Sequence, residues 1–212
     1  MKNLVVLIAV LIPFILPAQV DTVFKNSAYT SFFSFKHKEP LVVAYKLYKG
    51  GGSCKRDKFY FKTDCTKTAS DADYSKSGYD KGHLANAEDF AYDCTLEEMT
   101  FRYYNCFPQT PALNRGKWKT LENKVRKISQ KDSIIVISGG LYNNTTIGSG
   151  IGVPDTCFKV IYYLKDKTFS PCYLFTNITE PEQTPIIVED FNKILFNRYT
   201  LSVYEIVESF NE

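Results

Sequence analysis

Histidine is scarce in this chain of 212 residues: there are two, His37 and His83. Chemistry that needs an imidazole near neutral pH therefore has at most two places to occur. None of the six cysteines forms a C-x-x-C pair, which removes the commonest zinc-binding pattern. No apolar run is long enough for an ordinary membrane span; the longest is Leu4–Leu16. A strong charge of either sign is missing too. The formal net charge is +3, so charge alone does not announce a polyanionic partner, although a local basic groove would serve one. Internal repeats, low-complexity segments and an interdomain linker are absent, which leaves no sequence sign of a solenoid or a disordered chain. The length suits one ordinary domain, and a hydrophobic content of 44% is enough to build its core.

The chain opens MKNLVVLIAVLIPFILPAQ. Lys2 supplies a positive start, Leu4–Leu16 an apolar stretch and Ala18 a small residue at a cleavage point, the pattern of a secretory signal peptide. The expected organisation is a signal peptide over residues 1–18 and a single domain over 19–212. The mature protein is expected to be secreted or periplasmic, with no stable membrane association after cleavage. Cys54, Cys65, Cys94, Cys106, Cys157 and Cys172 are even in number and fit an oxidising compartment, with two or three disulfides. Spacing does not give the connectivity; Cys94–Cys106 is one plausible local pair. Asn143, Asn144 and Asn177 each open an N-x-S/T triplet.

Leu41–Tyr48, rich in β-branched and aromatic residues, predicts a strand, and Lys58–Lys62 has strand character too. Gly50–Ser53 reads as a loop and Tyr79–Ala85 as a strand followed by a turn. Thr95-Leu-Glu-Glu98 matches a capping box, so a short helix should start near Leu96. Over 114–130, Trp118, Leu121, Val125 and Ile128 recur at helical spacing and make one buried stripe, with Glu122 beside it and Arg126 one turn later. Ser133–Ser138 predicts a buried strand ended by Gly139-Gly140. Phe158–Leu164 and Phe169–Phe175 predict a hairpin, and Val188–Tyr199 and Leu201–Phe210 two amphipathic helices.

The chemistry-bearing residues cluster between Ser77 and Glu122. His83 can take a proton from water near neutral pH, whereas His37, between Lys36 and Lys38, reads as a solvated surface residue. Asn105, Asn114 and Glu122 offer an amide oxygen and a carboxylate, hard donors suited to a hydrated Mg²⁺. Lys81 and Arg126 suit a phosphate. Together these parts describe metal-assisted cleavage of a phosphodiester.

The order Asp80-Lys81-Gly82-His83, Asn105-x-x-Pro108-Gln109, Asn114 and Trp118-x-x-Leu121-Glu122 resembles the DNA/RNA non-specific endonuclease family, which includes secreted sugar-non-specific nucleases and endonuclease G. Asp71–Tyr79, Ser138–Tyr142 and Val153–Tyr163 also look like family segments, so the resemblance covers roughly residues 40–180. It departs at Lys81, where the family signature has Arg; Lys keeps the charge but loses the planar fork. The resemblance implies an α+β fold of the ββα-metal (His-Me finger) type, with a central mixed or antiparallel sheet flanked by helices. It implies His83 as general base, Asn114 as direct ligand of Mg²⁺ (or of Mn²⁺ as its substitute) and Glu122 acting on that ion through water. Asn105 would orient waters or phosphate, Lys81 and Arg126 would meet phosphate, and Arg56 is the best match to a functional arginine upstream of the motif. The substrates implied are DNA and RNA, held through their phosphate backbone with little sequence preference. A catalytically weak or inactive nuclease-like binding or structural module is the alternative; the joint presence of His83, Asn114 and Glu122 speaks against it. Asn114 and Glu122 lie eight positions apart, roughly 12 Å along a straight helix, so the backbone must bend, near Gly116, for both to serve one ion directly.

Overall fold

The structure is a computed structural model and describes residues 20–63 and 67–210. The predicted signal peptide and Cys65 lie outside the described residues. A central antiparallel sheet has eight strands: β1 Thr22–Lys25, β2 Thr30–Ser34, β3 Glu39–Leu47, β6 Ile134–Ile147, β7 Ile151–Tyr163, β8 Thr168–Phe169, β9 Cys172–Thr176 and β10 Gln183–Ile186. The strand order is β1-β2-β3-β6-β7-β9-β10, with β8 on the end of β7. A separate two-stranded hairpin pairs β4 Asp80–His83 with β5 Cys106–Gln109. The helices are α1 Asp71–Tyr74, α2 Cys94–Met99, α3 Lys119–Ser129, α4 Val188–Tyr199 and α5 Val203–Glu208.

Successive side chains on a strand point to opposite faces, and β7 shows what covers each face of the sheet. Phe158 meets Phe191 of α4 with ring centroids 4.6 Å apart. Its neighbour Lys159 points the other way, with Nζ 4.4 Å from the centroid of the Trp118 ring. Trp118, entering α3, also packs edge-on against Phe175 of β9 at 5.6 Å. The sheet thus has α4 on one face, and α3 with the β4–β5 hairpin on the other. Burial on both faces explains the continuous apolar run Ile134–Ile137, each residue fully buried. Tyr199, at the end of α4, locks that helix to β6: its hydroxyl donates to Gly140 O (2.8 Å) and accepts from Tyr142 N (3.0 Å).

Four local expectations need correction. Gly139-Gly140 does not end its strand, since β6 continues to Ile147. A Cβ at Gly139 would stand 2.2 Å from Leu41 O and 2.4 Å from the Phe158 ring; this glycine permits a close approach inside the sheet rather than a turn. Lys58–Lys62 is not a strand and contributes one bridge, Lys62 to Arg102. The cap of α2 is Asp93, not Thr95: its carboxylate accepts from Thr95 N (2.8 Å) and Leu96 N (3.2 Å). His37 is 8% exposed and stacked on Tyr142 at 4.8 Å, so it is a core residue rather than a solvated one.

The cysteine pairing also differs from expectation. Cys94 is bonded to Cys54, with Cα atoms 5.4 Å apart, and Cys106 is free and buried, as are Cys157 and Cys172. Cys106 sits in β5, with the Tyr74 hydroxyl 3.9 Å from its sulfur, turned into a small core away from α2. The Asn177 triplet is not an accessible acceptor either. Asn177 is buried, and its amide binds Thr110 N, Pro108 O and Pro154 O, tying β5 to β7.

Candidate active site

The β4–β5 pairing places Gly82 opposite Phe107 and His83 opposite Cys106. A side chain at Gly82 would overlap the buried Gln109, its Cβ falling 2.1 Å from Oε1, so only glycine fits between Lys81 and His83. The chain between the strands is drawn in by Asn105. Its Nδ2 donates to Ala85 O (3.0 Å) and Thr100 O (2.8 Å), and its Oδ1 accepts from Ala85 N (2.9 Å). Asn105 is fully buried. With its amide spent on backbone groups it shapes the hairpin, which corrects the expectation that it orients waters or phosphate.

Helix α3 does not begin as a regular helix. Leu113–Trp118 forms a wide π-type turn in which Gly116 departs from helical angles (φ −106°, ψ −109°), and regular helix starts at Lys119. The bend falls between Asn114 and Glu122, at Gly116, the place named from sequence for a bend if both were to serve one ion directly. Asn114 is also fixed in orientation. Its Nδ2 donates to Asp80 Oδ2 (3.0 Å), while Arg115 grips the same carboxylate through Nε (2.8 Å) and Nη2 (2.7 Å). Burial raises the Asp80 carboxyl, but the bonds from Arg115 and Asn114 outweigh it and hold the pKa below the usual carboxylate range.

One cleft of about 640 Å³ is lined by Arg56, Lys81, His83, Asn114, Glu122 and Arg126, six of the seven residues singled out from sequence. Asn86, Glu88, Arg115, Lys119 and Asn123, none of them singled out, complete the polar lining. Five basic side chains against two acidic ones make the cleft a basic groove within a nearly neutral chain. A larger cavity, about 880 Å³, lies beside β8 and α5. It is lined mainly by apolar side chains and has no histidine, so the chemistry belongs to the smaller one.

His83 stands between Phe61 and Phe101, 4.9 Å from each ring, and Trp118 Nε1 donates to its carbonyl (3.3 Å). Its Nε2 is buried without a hydrogen-bond partner among the described residues. Burial, with the nearby charges of Arg56 and Lys81, pushes its pKa down to about 3, so the ring is neutral across the physiological range. Glu122 is 7% exposed. Burial raises its pKa, Lys159, Asn86 and Arg126 oppose the rise, and Asp89 adds to it. Arg126 forms no surface pair with Glu122. It meets Asp89 Oδ1 through Nε (3.0 Å) and Asn86 Oδ1 through Nη2 (3.0 Å), and Tyr45 donates to the other Asp89 oxygen (2.7 Å). Lys81 pairs with Asp71, which also accepts from the Tyr103 hydroxyl (2.7 Å).

Among the described residues no three His, Cys, Asp or Glu side chains gather to hold an ion. The donors in the cleft are hard oxygens, the Asn114 Oδ1 left by an amide anchored through its nitrogen and the Glu122 carboxylate. Such a set fits a divalent cation that keeps most of its own waters.

A hairpin with a helix laid across it, a histidine on the first strand and an asparagine at the helix entry define a ββα-metal nuclease fold. The family model for DNA/RNA non-specific endonucleases matches residues 11–209, and the chain belongs to that family. Human mitochondrial endonuclease G is 32% identical over 107 residues, covering 44% of this chain and 36% of that protein. Nuclease C1 of Cunninghamella echinulata var. echinulata is 32% identical over 131 residues, covering 53% and 52%. The matched stretches thus span about a third to a half of these relatives' own lengths. A solved structure described as "Crystal structure of the EndoG/EndoGI complex: Mechanism of EndoG inhibition" superposes with a TM-score of 0.71 at 25% identity, covering 81% of this chain and 82% of that one.

Proposed function

We propose that this chain is a secreted or periplasmic Mg²⁺-dependent endonuclease that hydrolyses the phosphodiester bonds of DNA and RNA with little sequence preference. The observation that carries this reading is the basic cleft in which His83, Asn114 and Glu122 meet. The reading takes residues 1–18 as a signal peptide, removed before the domain 19–212 acts.

The neutral His83 ring accepts a proton from an attacking water. Walls formed by Phe61 and Phe101 keep that ring out of bulk solvent and fix its direction. Arg56, Lys81 and Arg126 hold the anionic phosphate by charge; approach of the phosphate also offsets the positive field that depresses His83, making it a better base with substrate bound. Asn114, directly, and Glu122, through water, would hold a hydrated Mg²⁺ or Mn²⁺, and such an ion would supply positive charge to the departing 3′-oxygen. Asp80 keeps the Asn114 amide turned for that task. All these groups address phosphate or ion rather than base edges, which accounts for weak sequence preference.

The test is purified mature protein on supercoiled plasmid and on RNA, with Mg²⁺ and with EDTA. Both substrates should be degraded to 5′-phosphate ends with Mg²⁺, and neither with EDTA. Absence of cleavage, or cleavage indifferent to EDTA, would overturn the reading.

A further inference from the structure

A second groove, about 530 Å³, adjoins the cleft and shares Lys81 and Phe101 with it. Its lining is dominated by aromatic rings, among them Phe59, Tyr60, Phe61 and Tyr79. Phe59 and Phe61 pack on Phe101 at 5.5 and 5.4 Å, which forms a floor. Tyr60, between them in sequence, turns outward and is 72% exposed, the most exposed large apolar side chain among the described residues. Leaving an aromatic ring in water is unfavourable, and three consecutive aromatics here build no strand that would explain it. The groove's two carboxylates are both occupied, Asp71 by Lys81 and Tyr103 and Asp80 by Arg115 and Asn114, so their repulsion of a nucleic-acid strand is offset.

We propose that this groove is a stacking subsite for an unpaired nucleobase next to the cleaved phosphate, with Tyr60 as its outer wall. The proposal rests on the nuclease reading and adds a preference to it. Phe61 lines the groove and packs beside the cleft's His83 and Lys81, 4.9 Å from the His83 ring and 5.1 Å from Lys81 Nζ, so a strand whose phosphate sits at His83 brings a flanking base to the shelf. Any base offers a π-face, so the contact tolerates every sequence. A base paired inside a duplex is not free to leave its stack, whereas bases of single strands, loops and frayed ends splay out onto such surfaces. The subsite therefore favours single-stranded or unpaired substrate without reading sequence.

The experiment uses the full mature chain in EDTA with a single-stranded oligonucleotide carrying 2-aminopurine, whose fluorescence falls on stacking. Wild type should quench it; Tyr60→Ala should lose most of the quench and bind the single strand at least about fivefold more weakly. Tyr60→Phe should behave as wild type, and the affinity of both variants for a blunt duplex should be unchanged. With Mg²⁺, Tyr60→Ala should raise KM on single strands and leave kcat in place. Equal weakening on duplex and single strand, or a full quench in Tyr60→Ala, overturns the proposal. A wild type that quenches but never cleaves overturns the nuclease reading alone.

Discussion

Asp80 binds two neighbours with one carboxylate, and its partners differ in what they lose when it goes. Arg115 is exposed and regains water, whereas Asn114 loses the hydrogen bond that, among the described residues, fixes which end of its amide faces the cleft. Asp80→Ala should therefore weaken divalent-ion binding about 10- to 100-fold while leaving the fold intact, as followed by Mn²⁺ titration with electron paramagnetic resonance. The same titration separates Asn114 from Glu122. Asn114→Ala should abolish the binding step and Glu122→Gln should weaken it within that range; the reverse order would interchange direct ligand and water-mediated partner. That His83, Asn114 and Glu122 would line one cleft was readable from the ordered motif that resembles the nuclease family, not from the spacing of any one of them. The structural service of Asn105 was not, because an amide spent on three backbone groups looks in sequence like one offered to a ligand. Asn86, Asp89 and Lys159, which surround Arg126 and Glu122, come from a turn and from β7, and only the folded chain brings them together.

At the level of elements, α4 was legible from apolar periodicity alone, and the observed helix Val188–Tyr199 has the expected bounds. The long β6 was not. Its second half depends on Gly139 fitting beneath the Phe158 ring, which no local pattern announces. Gly139→Ala should cost about 1–3 kcal/mol through forced displacement of Leu41 or Phe158, visible as a lower urea midpoint with an unchanged slope. The segment after β3 depends on a different restraint. Arg56 lies two residues beyond Cys54, whose bond to Cys94 closes a stretch with a sequence separation of 40. Closing a loop of that size stabilises by about 4 kcal/mol in the chain-entropy account. The double variant Cys54→Ser, Cys94→Ser should lose a large part of that and also raise KM for nucleic acid, because Arg56 is no longer held at the cleft. A variant destabilised but unchanged in KM would remove Arg56 from the substrate contacts.

For the molecule as a whole, one part of the pH dependence comes from its two histidines, both depressed by burial: His37 to about 4 and His83 to about 3, from an ordinary 6.5. Between those values and 6.5 the unfolded chain binds protons that the folded chain refuses, so stability rises with pH in that window and is lost as pH falls through it. His37 is the cleaner probe, being remote from the cleft and stacked on Tyr142. His37→Phe keeps the ring and removes the titration. It should flatten the decline in stability between pH 6.5 and 4 by up to about 1.4 kcal/mol per pH unit, measured by urea unfolding across that range; an unchanged slope would mean that His37 is protonated in the folded state. No helix among the described residues is long and apolar enough to cross a membrane.

The central claim concerns His83, and the rate of plasmid nicking with Mg²⁺ by wild type and by His83→Ala tests it most directly. Circular dichroism and DNA affinity in EDTA should show both proteins folded and binding alike, with His83→Ala about 10²- to 10⁴-fold slower. A folded His83→Ala that nicks at close to the wild-type rate would contradict the account.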